Sequence, residues 1–342
     1  MSSPARTFTV ASRGSPLAQI QTNIVVDALR ALHPASDDPS VPKFTTSFMA
    51  TAGDKNQTQA LYLLGGKSLW TKDLEVALLE NQADMLVHSL KDVPTVLPDG
   101  CIIAGILERE DPLDALVVKK GAPWKTLQDL PAGSVVGTSS VRRVAQLKRQ
   151  FPHLVCTDVR GNLNTRFSKL DDPNGPYSAI ILAKAGMIRL GTGDRITSDL
   201  APPTLYHAVS QGALAIEVRS SDAEAIELCK QLTHWQTQYR CLAERACLRV
   251  LEGGCSVPVG VFSTLQEDVT KVRSGELTLF GCVTSLDGQT HVEQTLTCPA
   301  ENIDDAETLG VRVAKSLLAT GARKILDEIN EDRARRIQDA KE

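Results

Sequence analysis

Residues 87–94, which read VHSLKDVP, contain the side chains best suited to chemistry. The mostly apolar run over 84–88 predicts a short buried strand, and Pro94 ends its pairing because proline has no amide hydrogen to donate. Lys91 and Asp92 then lie at the carboxyl end of the strand, where α/β sheets bind ligands. The adjacent ammonium group favours the ionised carboxylate. A solvated turn is the simpler interpretation of a lone Lys-Asp pair, so the rest of the chain must decide.

Three further strand-to-helix junctions contain arginine. We predict strands over 135–137, 154–159 and 177–183, each followed by a helix. The arginines at these junctions are Arg142, Arg143, Arg160, Arg166 and Arg189. If the strands are parallel, the junctions share one sheet edge, and planar guanidinium groups suit carboxylate or phosphate. The pattern predicts a polyanion cleft, with ordinary surface ion pairs as the alternative. No GxxxxGK[ST] or GxGxxG motif accompanies the arginines, which disfavours nucleotide phosphate.

The sequence of the first part of the chain predicts a second sheet edge with anion-binding residues, which faces this cleft. A strand over 8–11 leads to Ser15, which we expect to cap a helix that begins with Pro16. Arg13 and Ser15 therefore lie at a helix amino terminus, which favours anions. A strand over 44–49, a mobile polar loop over 51–67 and a helix then precede the Asp92 strand. This alternation of strands and helices is typical of parallel βαβ units, and the class is α/β.

Composition limits the class of protein. The chain has 342 residues, which predicts two or three domains, and a net charge of 37 − 41 = −4, which argues against a basic nucleic-acid-binding surface. No apolar run is long enough to cross a membrane, and the first residues have no secretory signal. The 8 cysteines include no CxxC pair and fit neither a disulfide framework nor a metal site. We expect a cytoplasmic protein without metal, membrane or nucleic-acid partners.

The predicted class of structure changes after about residue 235. Strands over 257–262, 276–283 and 289–296, with a hairpin at Asp287-Gly288, and a closing helix interrupted at Gly321 predict an α+β domain. Before it, residues 221–224 read as a capping box that begins at Ser221. Cys255 follows two glycines in a tight loop, which distinguishes it from the other cysteines, most of which we expect to be buried. No histidine can be assigned to it by spacing, so alone it is a weak candidate nucleophile.

Together these segments resemble the porphobilinogen deaminase (hydroxymethylbilane synthase) family. The matching motifs, in chain order, are ASRGSPLA (11–18), TAGDK (51–55), GGKSLWTKDLE (65–75), VHSLKDVPTVLP (87–98), GTSSVRR (137–143), VRGNLNTR (159–166), AIILAKAG (179–186), QGALAIE (211–217) and LEGGCSVPVG (251–260). The resemblance implies two α/β domains like those of periplasmic binding proteins and a C-terminal α+β domain with a small antiparallel sheet. The implied domains are 1–112 with 213–234, then 113–212, then 235–342.

The resemblance also implies an activity and a cofactor. The family is a transferase of haem and tetrapyrrole biosynthesis, which condenses four porphobilinogen molecules head to tail and releases ammonia. The product grows on a covalent dipyrromethane cofactor, whose thioether anchor would be Cys255. Asp92 would stabilise the cation formed when ammonia leaves. A fixed anion at the position where positive charge develops is an electrostatic mode of catalysis.

Other site residues follow from the matched motifs. The implied cofactor-binding residues are Lys91, Thr138, Ser140, Arg142, Arg143 and Arg166. The implied substrate-binding residues are Arg13, Ser15, Lys67, Ser89, Arg160, Arg189 and Gln211. The resemblance further implies a monomer whose partner is the small molecule porphobilinogen.

Some positions depart from the family pattern, and two other functions fit the residues. Leu63, Thr58 and Gln59 differ in the predicted mobile loop, and Ser210 and Ala215 replace glycines near Gln211. One alternative is a two-lobed anion-binding protein without enzymatic activity, in which Cys255 is structural. The other is a cysteine-dependent hydrolase. The mass of the chain separates the three, because only the deaminase should carry a permanent pyrrolic adduct.

Overall fold

The computed structural model describes residues 6–36, 38, 40–51, 68–251 and 257–339. Lys67, Cys255, the departures at 58, 59 and 63, and nearly all of the loop predicted over 51–67 lie outside the described residues. The described chain divides into two compact units. The first contains the described residues up to 51, then 68–110 and 213–238. The second contains 111–212 and the described residues from 239 onwards.

The elements are numbered along the chain. The first are β1 (Thr7–Arg13), α1 (Pro16–Leu32), β2 (Lys43–Met49), α2 (Ser68–Leu79), β3 (Met85–Ser89), β4 (Cys101–Ile106), β5 (Asp114–Val118), β6 (Val135–Gly137), α3 (Val141–Gln150) and β7 (Val155–Thr157). Next are α4 (Leu163–Asp171), β8 (Ala179–Ala183), α5 (Lys184–Arg189), β9 (Ser198–Leu200), β10 (Leu214–Arg219), α6 (Ala223–Gln231) and α7 (Trp235–Val250). The last are β11 (Val259–Glu267), β12 (Gly275–Thr284), β13 (His291–Ala300), α8 (Ile303–Leu317) and α9 (Arg323–Asp339).

The first unit is a five-stranded sheet with the order β2-β1-β3-β10-β4. β1 is parallel to β2 and β3, which confirms the predicted βαβ pattern, whereas β10 is antiparallel to β3 and β4. Successive side chains of a strand point to opposite faces. Phe8 therefore packs in one core with Leu29 of α1, while Ala11 packs in the other with Leu74 of α2. Both faces of the sheet are thus covered, and polar side chains gather at its edges.

The second unit contains a five-stranded sheet with the order β7-β6-β8-β5-β9. β6 is parallel to β7 and β8, so the three strands that precede the predicted arginine junctions run in one direction, as expected. β5 is antiparallel to β8 and β9. Leu116 of β5 packs with Leu147 of α3 on one face, and Val117 packs with Phe167 of α4 on the other. The junctions therefore lie along the carboxyl edge of a sheet that is buried on both faces.

The second unit also contains the antiparallel sheet β11-β12-β13. The predicted hairpin at residues 287–288 joins β12 and β13, and Gly288 has φ +80°, a conformation that favours glycine. α8 lies close to β12, since a Cβ added at Gly281 would lie 3.1 Å from a Val313 methyl group. The predicted break at Gly321 is confirmed by its φ of 121° in the turn between α8 and α9.

Three details differ from the sequence predictions. β4 and β9 were not predicted, and β13 begins at His291 and extends to Ala300. The cap of α6 is Asp222, whose side chain accepts a hydrogen bond from the Ala225 amide, so the capping box does not begin at Ser221. Asp222 also accepts hydrogen bonds from Arg219, three residues before it, and from Arg6, which lies 216 positions away and which a local motif does not reveal. Among the described helices, none has the length and apolar character needed to span a membrane.

Candidate active site

The turn after β3 holds Lys91 and Asp92. It is a single 3₁₀ turn, Leu90–Asp92, whose first side chain is fully buried. The Leu90 amide donates to the Ala213 carbonyl at 3.0 Å, which ties the turn to the residue before β10. Lys91 and Asp92 are half-buried. Burial of Leu90 therefore fixes the turn in the core and leaves the two charged residues at the edge of the sheet.

Other predicted residues of the first unit lie at the same edge. β1 and β3 are parallel, so Arg13 at the end of β1 and Ser89 at the end of β3 share an edge with Asp92. The Arg13 guanidinium lies 4.0 Å from the Trp70 ring centroid, a cation–π contact. Ser15 caps α1 as predicted and accepts a hydrogen bond from the Ala18 amide. Gln21 of α1 donates to the Ser89 hydroxyl at 2.9 Å. This edge combines a carboxylate with cationic and hydroxyl groups.

The second unit contains a buried carboxylate that the sequence analysis missed. Asp114, at the start of β5, accepts a hydrogen bond from Arg142 at 2.7 Å and from Arg143 at 2.7 Å. Burial alone would raise the pKa of Asp114, but the two guanidinium groups hold it well below its usual range. Both arginines are themselves buried and also donate to the backbone carbonyls of Tyr206 and Ile181. An aspartate directly before the apolar run ALVV was the available signal.

Arg166 of α4 is the third arginine of this group. Its Nε donates to the Gly161 carbonyl at 2.8 Å, and no carboxylate of the described residues forms an ion pair with it. Burial, followed by the charges of Arg143 and Arg160, lowers the pKa of Arg166 to about 10. We call Asp114, Arg142, Arg143 and Arg166 the Asp114 cluster. It contains three cations and one anion, so its charge balance favours an additional anionic group.

Small polar residues flank the Asp114 cluster at the start of α3. Ser140 caps this helix and accepts a hydrogen bond from the Arg143 amide at 3.4 Å. The Thr138 side chain is buried and accepts a hydrogen bond from the Ser140 amide at 3.3 Å. The cap fixes the first turn of α3, which contains both Arg142 and Arg143, at the end of β6.

The remaining predicted residues of the second unit differ in their surroundings. Gln211 is buried, and its side-chain amide donates to the Asp114 carboxylate at 2.9 Å and to the Pro112 carbonyl at 2.7 Å. Arg189, at the end of α5, donates to the Gly212 carbonyl at 2.7 Å. Arg160 forms a partly exposed ion pair with Asp158 at 3.1 Å. The structure therefore joins Gln211 directly to the Asp114 cluster, while Arg160 pairs with a carboxylate of its own.

The two departures near Gln211 have different environments. Ser210 has φ +60°, a conformation in which glycine is favoured, and its amide donates to the buried Glu244 carboxylate at 2.7 Å. Ala215 lies inside β10, where it pairs with His88 of β3 and Ile106 of β4. Serine at 210 therefore adopts a strained backbone conformation, whereas alanine at 215 occupies an ordinary strand position.

From the sequence, six cysteines are expected to be buried. Five of them are, namely Cys101, Cys229, Cys241, Cys247 and Cys282, whereas Cys298 is partly exposed. Burial raises the pKa of four of their thiols to about 12: Cys101, Cys229, Cys247 and Cys282. A thiol with such a pKa is protonated at neutral pH and is a poor nucleophile. Cys255 lies outside the described residues.

These features define a class: an α/β protein with a carboxylate turn in one unit and a cationic cluster suited to an anionic ligand in the other. Two family models match the chain. "Porphobilinogen deaminase, dipyromethane cofactor binding domain" matches residues 8–227, and "Porphobilinogen deaminase, C-terminal domain" matches residues 238–319.

Curated relatives give the same result. A porphobilinogen deaminase of Yarrowia lipolytica is 51% identical over 94% of this chain and 93% of its own length. Those of Nostoc sp. and Saccharomyces cerevisiae are 48% and 45% identical, over 96% of this chain and 96% and 98% of their own lengths. The chain belongs to the porphobilinogen deaminase family, as its motifs predicted, and is a transferase that uses a dipyrromethane cofactor.

Among solved structures, the chain is similar to the lipoprotein Tp32 from Treponema pallidum. The sequence identity is 14%, the TM-score is 0.41, and the match covers 66% of this chain and 90% of the lipoprotein. A likeness of this strength carries no information about function.

Proposed function

We propose that this chain performs the hydroxymethylbilane synthase reaction with Asp92 as its catalytic carboxylate and the Asp114 cluster as the holder of its cofactor. The reaction joins four porphobilinogen molecules head to tail and releases ammonia. The observation that carries the proposal is the charge balance of the Asp114 cluster, in which Arg142 and Arg143 share the Asp114 carboxylate and Arg166 has no ion-pair partner among the described residues. A ligand with carboxylate side chains supplies the missing negative charge.

The residues of the second unit fit a dipyrromethane group. The half-buried Arg166, which has no carboxylate partner among the described residues, would bind one of its carboxylates. Arg142, Arg143, Thr138 and Ser140 supply further donors around the start of α3. Lys91 is proposed for the same role because its motif matches the family's. When bound, the group supplies the pyrrole carbon to which the first substrate is joined. The matched motif LEGGCSVPVG assigns the thioether to Cys255. Burial raises the pKa of the Cys101 and Cys282 thiols to about 12, which makes these two poor nucleophiles.

Asp92 acts by its charge. Loss of ammonia from the substrate leaves a positive charge spread over the pyrrole ring and its methylene carbon. A carboxylate held by a buried turn can accept a hydrogen bond from the pyrrole N–H and stabilise this charge. Removing one such preorganised group lowers turnover by about 10²–10³ in known enzymes.

Substrate carboxylates require cations and hydroxyl groups away from the reacting carbon. The residues proposed for this role are Arg13, Ser15, Lys67, Ser89, Arg160, Arg189 and Gln211. Arg13 and Ser89 share the sheet edge of Asp92, and Gln211 contacts Asp114, which supports their assignment. We assign these roles to a monomeric cytoplasmic enzyme without a nucleic-acid partner.

The three sheets support a division into three domains, 1–112 with 213–234, then 113–212, then 235–342. Each proposed domain contains one sheet: β1–β4 with β10, β5–β9, and β11–β13.

The decisive experiment is the intact mass of the purified chain under denaturing conditions. We expect the sequence mass plus a dipyrromethane, located on Cys255 by peptide mapping and absent from Cys255→Ala. A chain with the unmodified sequence mass would favour the anion-binding alternative, and a transient adduct would favour the hydrolase. Arg142→Leu and Arg143→Leu should lower the loaded fraction, whereas Arg13→Leu and Arg189→Leu should load normally and elongate slowly.

Asp92→Asn tests the catalytic carboxylate because it preserves size and removes charge. Turnover should fall at least 10²-fold while the cofactor remains attached, and Asp92→Glu should retain more activity. Turnover of the loaded Asp92→Asn variant within tenfold of wild type would exclude Asp92 as the catalytic group.

A further inference from the structure

A buried pair of ionisable side chains lies beneath the Asp92 turn. The His88 Nε2 of β3 lies 2.9 Å from the Glu217 Oε2 of β10, and the two side chains are only 5% and 0% exposed. Neither the His88 Nε2 nor the Glu217 carboxyl oxygens meet the geometry of an aligned hydrogen bond within the described residues, so the pair is a close contact of two buried polar groups. His88 is the residue before Ser89, which ends β3 and leads into the turn.

The pair is surrounded by groups from every element that covers this face of the sheet. α2 contributes Glu75, whose pKa is raised first by burial and then by the charge of Glu217. β4 contributes Cys101, whose pKa burial and Glu217 raise to about 12. Thr71 of α2 interacts with Glu75, and Arg219 of β10 interacts with Cys101. Apolar side chains of the same core include Leu74, Leu78 and Leu86. None of the His, Cys, Asp and Glu groups in the described chain has an arrangement that could hold a metal ion.

Stability does not account for this pair. Two ionisable groups lose their hydration when they are buried, and apolar residues of similar volume are often at least as stabilising. Local backbone geometry also departs from a regular ladder, because the pairing of β10 with β4 shifts register between Ile216 and Glu217. Such irregularities commonly redirect a side chain near an active site. Here the shift occurs at the residue that meets His88.

We propose that His88 and Glu217 form a positioning pair that holds the Asp92 turn. β3 and β10 are neighbours in the sheet, and Ser89 pairs with Leu214. Two contacts add to this ladder near the end of β3: the His88–Glu217 contact before the turn and the hydrogen bond from the Leu90 amide to the Ala213 carbonyl within it. Asp92 follows Leu90 by two residues, so rotation of the β3 end would displace its carboxylate. A displacement of about 1 Å can lower a catalysed rate about 10²-fold. This inference rests on the proposed role of Asp92.

The test measures kcat and KM of the fully loaded enzyme for Glu217→Gln, His88→Gln and the double variant. We expect each single variant to lose about tenfold or more in kcat with KM within twofold, because the substrate-binding residues are untouched. The double variant should be no slower than the slower single variant, since both changes break one contact. Glu217→Asp keeps a carboxyl group and should recover more kcat than Glu217→Gln. Values of kcat within twofold of wild type in both single variants would overturn the proposal, as would multiplicative losses in the double variant.

Arg6→Met is the matched control for general destabilisation. Arg6 pairs with Asp84 and Asp222 at the opposite end of β3, so its loss should lower Tm while kcat of the loaded enzyme stays unchanged. If the single variants fail to fold, the double variant decides, because it replaces both ionisable side chains. A normal kcat in the double variant overturns the proposal, and a tenfold loss supports it. Asp92→Asn is measured in parallel. Normal turnover of Asp92→Asn would refute the role of Asp92. Loss of turnover in Asp92→Asn, combined with a normal kcat in the His88 and Glu217 variants, would refute only the positioning pair.

Discussion

Each unit of the molecule contains a cluster of arginine and aspartate, and the two differ in charge balance. In the first unit, Arg219 donates to the Asp84 and Asp222 carboxylates at 3.0 and 2.8 Å, and Arg6 pairs with the same two residues. We call these four residues the Asp84 cluster. It has two cations and two anions, with Glu224 at its exposed rim 3.7 Å from Arg6. The Asp114 cluster has three cations for one anion.

The two clusters also lie at opposite kinds of edge. Asp84 immediately precedes β3, so its cluster lies at the amino end of that strand, whereas Arg142 and Arg143 follow β6 at its carboxyl end. Arg219 further donates to the Leu78 and Ala83 carbonyls at 2.7 and 2.6 Å and thereby joins α2 to the sheet. In the Asp84 cluster the positive and negative charges compensate each other. The excess positive charge of the Asp114 cluster instead favours the binding of an anionic ligand. Residue types alone do not distinguish structural from ligand-binding arginines; the count of nearby carboxylates does.

The largest expected effect is that of Asp114→Asn. It leaves Arg142 and Arg143 buried without a compensating anion, and loss of one partner of a buried ion pair costs about 3–5 kcal/mol. Urea unfolding should show a loss of this size, and the loaded fraction should fall. Asp158→Asn, at the exposed pair with Arg160, should change the free energy of unfolding by less than about 1 kcal/mol. Equal effects of the two variants would contradict the assigned difference in burial.

Arg219→Met should have the next largest effect, confined to stability. It removes hydrogen bonds to two carboxylates and two carbonyls, and we expect a loss of about 3 kcal/mol. Cofactor loading and kcat of the folded fraction should remain at wild-type values, because the Asp84 cluster lies away from the Asp92 edge. A selective loss of kcat without a loss of stability would reverse the assignment of the two clusters.

A decrease in pH should reduce the stability that each of the two clusters contributes. Although burial opposes ionisation, hydrogen bonds from Arg6, the Ala225 amide and Arg219 lower the pKa of Asp222 to about 2. A carboxylate with a depressed pKa contributes stability above its unfolded pKa of about 3.9 and loses it as pH falls through the folded value. Stability should therefore decrease between about pH 4 and pH 2, and Asp222→Asn should flatten this decrease in an acid titration of unfolding. An unchanged titration would contradict the assigned pKa.

Arg166→Met should have the smallest effect on stability and a clear effect on function. The stability of Arg166→Met is measured in a Cys255→Ala background, because that change prevents cofactor loading. Burial disfavours the charged form of Arg166, so its replacement by an apolar side chain should change the free energy of unfolding by about 1 kcal/mol or less. In the otherwise wild-type chain the same change should lower cofactor loading, measured by intact mass. A large loss of stability without cofactor would show that Arg166 is structural, like Arg219.

The sequence alone determined the local features of this protein and its family. Short, mostly apolar segments predicted β1, β3, β6 and β8, and a hydroxyl side chain before Pro16 predicted the Ser15 cap. These signals act over a few residues and depend little on distant packing. The motifs around Asp92, the arginines and Cys255 identified the family, which the comparisons confirmed.

Only the tertiary structure decided which charged residues meet. Asp114 lies 28 and 29 residues from its arginines and 97 from Gln211, and no local pattern records such pairings. The same holds for the antiparallel insertion of β10 between β3 and β4, which brings Glu217 to His88 from 129 positions away. Strand pairing is non-local, and burial makes each charge depend on the partners that folding supplies. The charge balance that distinguishes the two arginine clusters therefore depends on the tertiary structure, which brings residues of distant strands together.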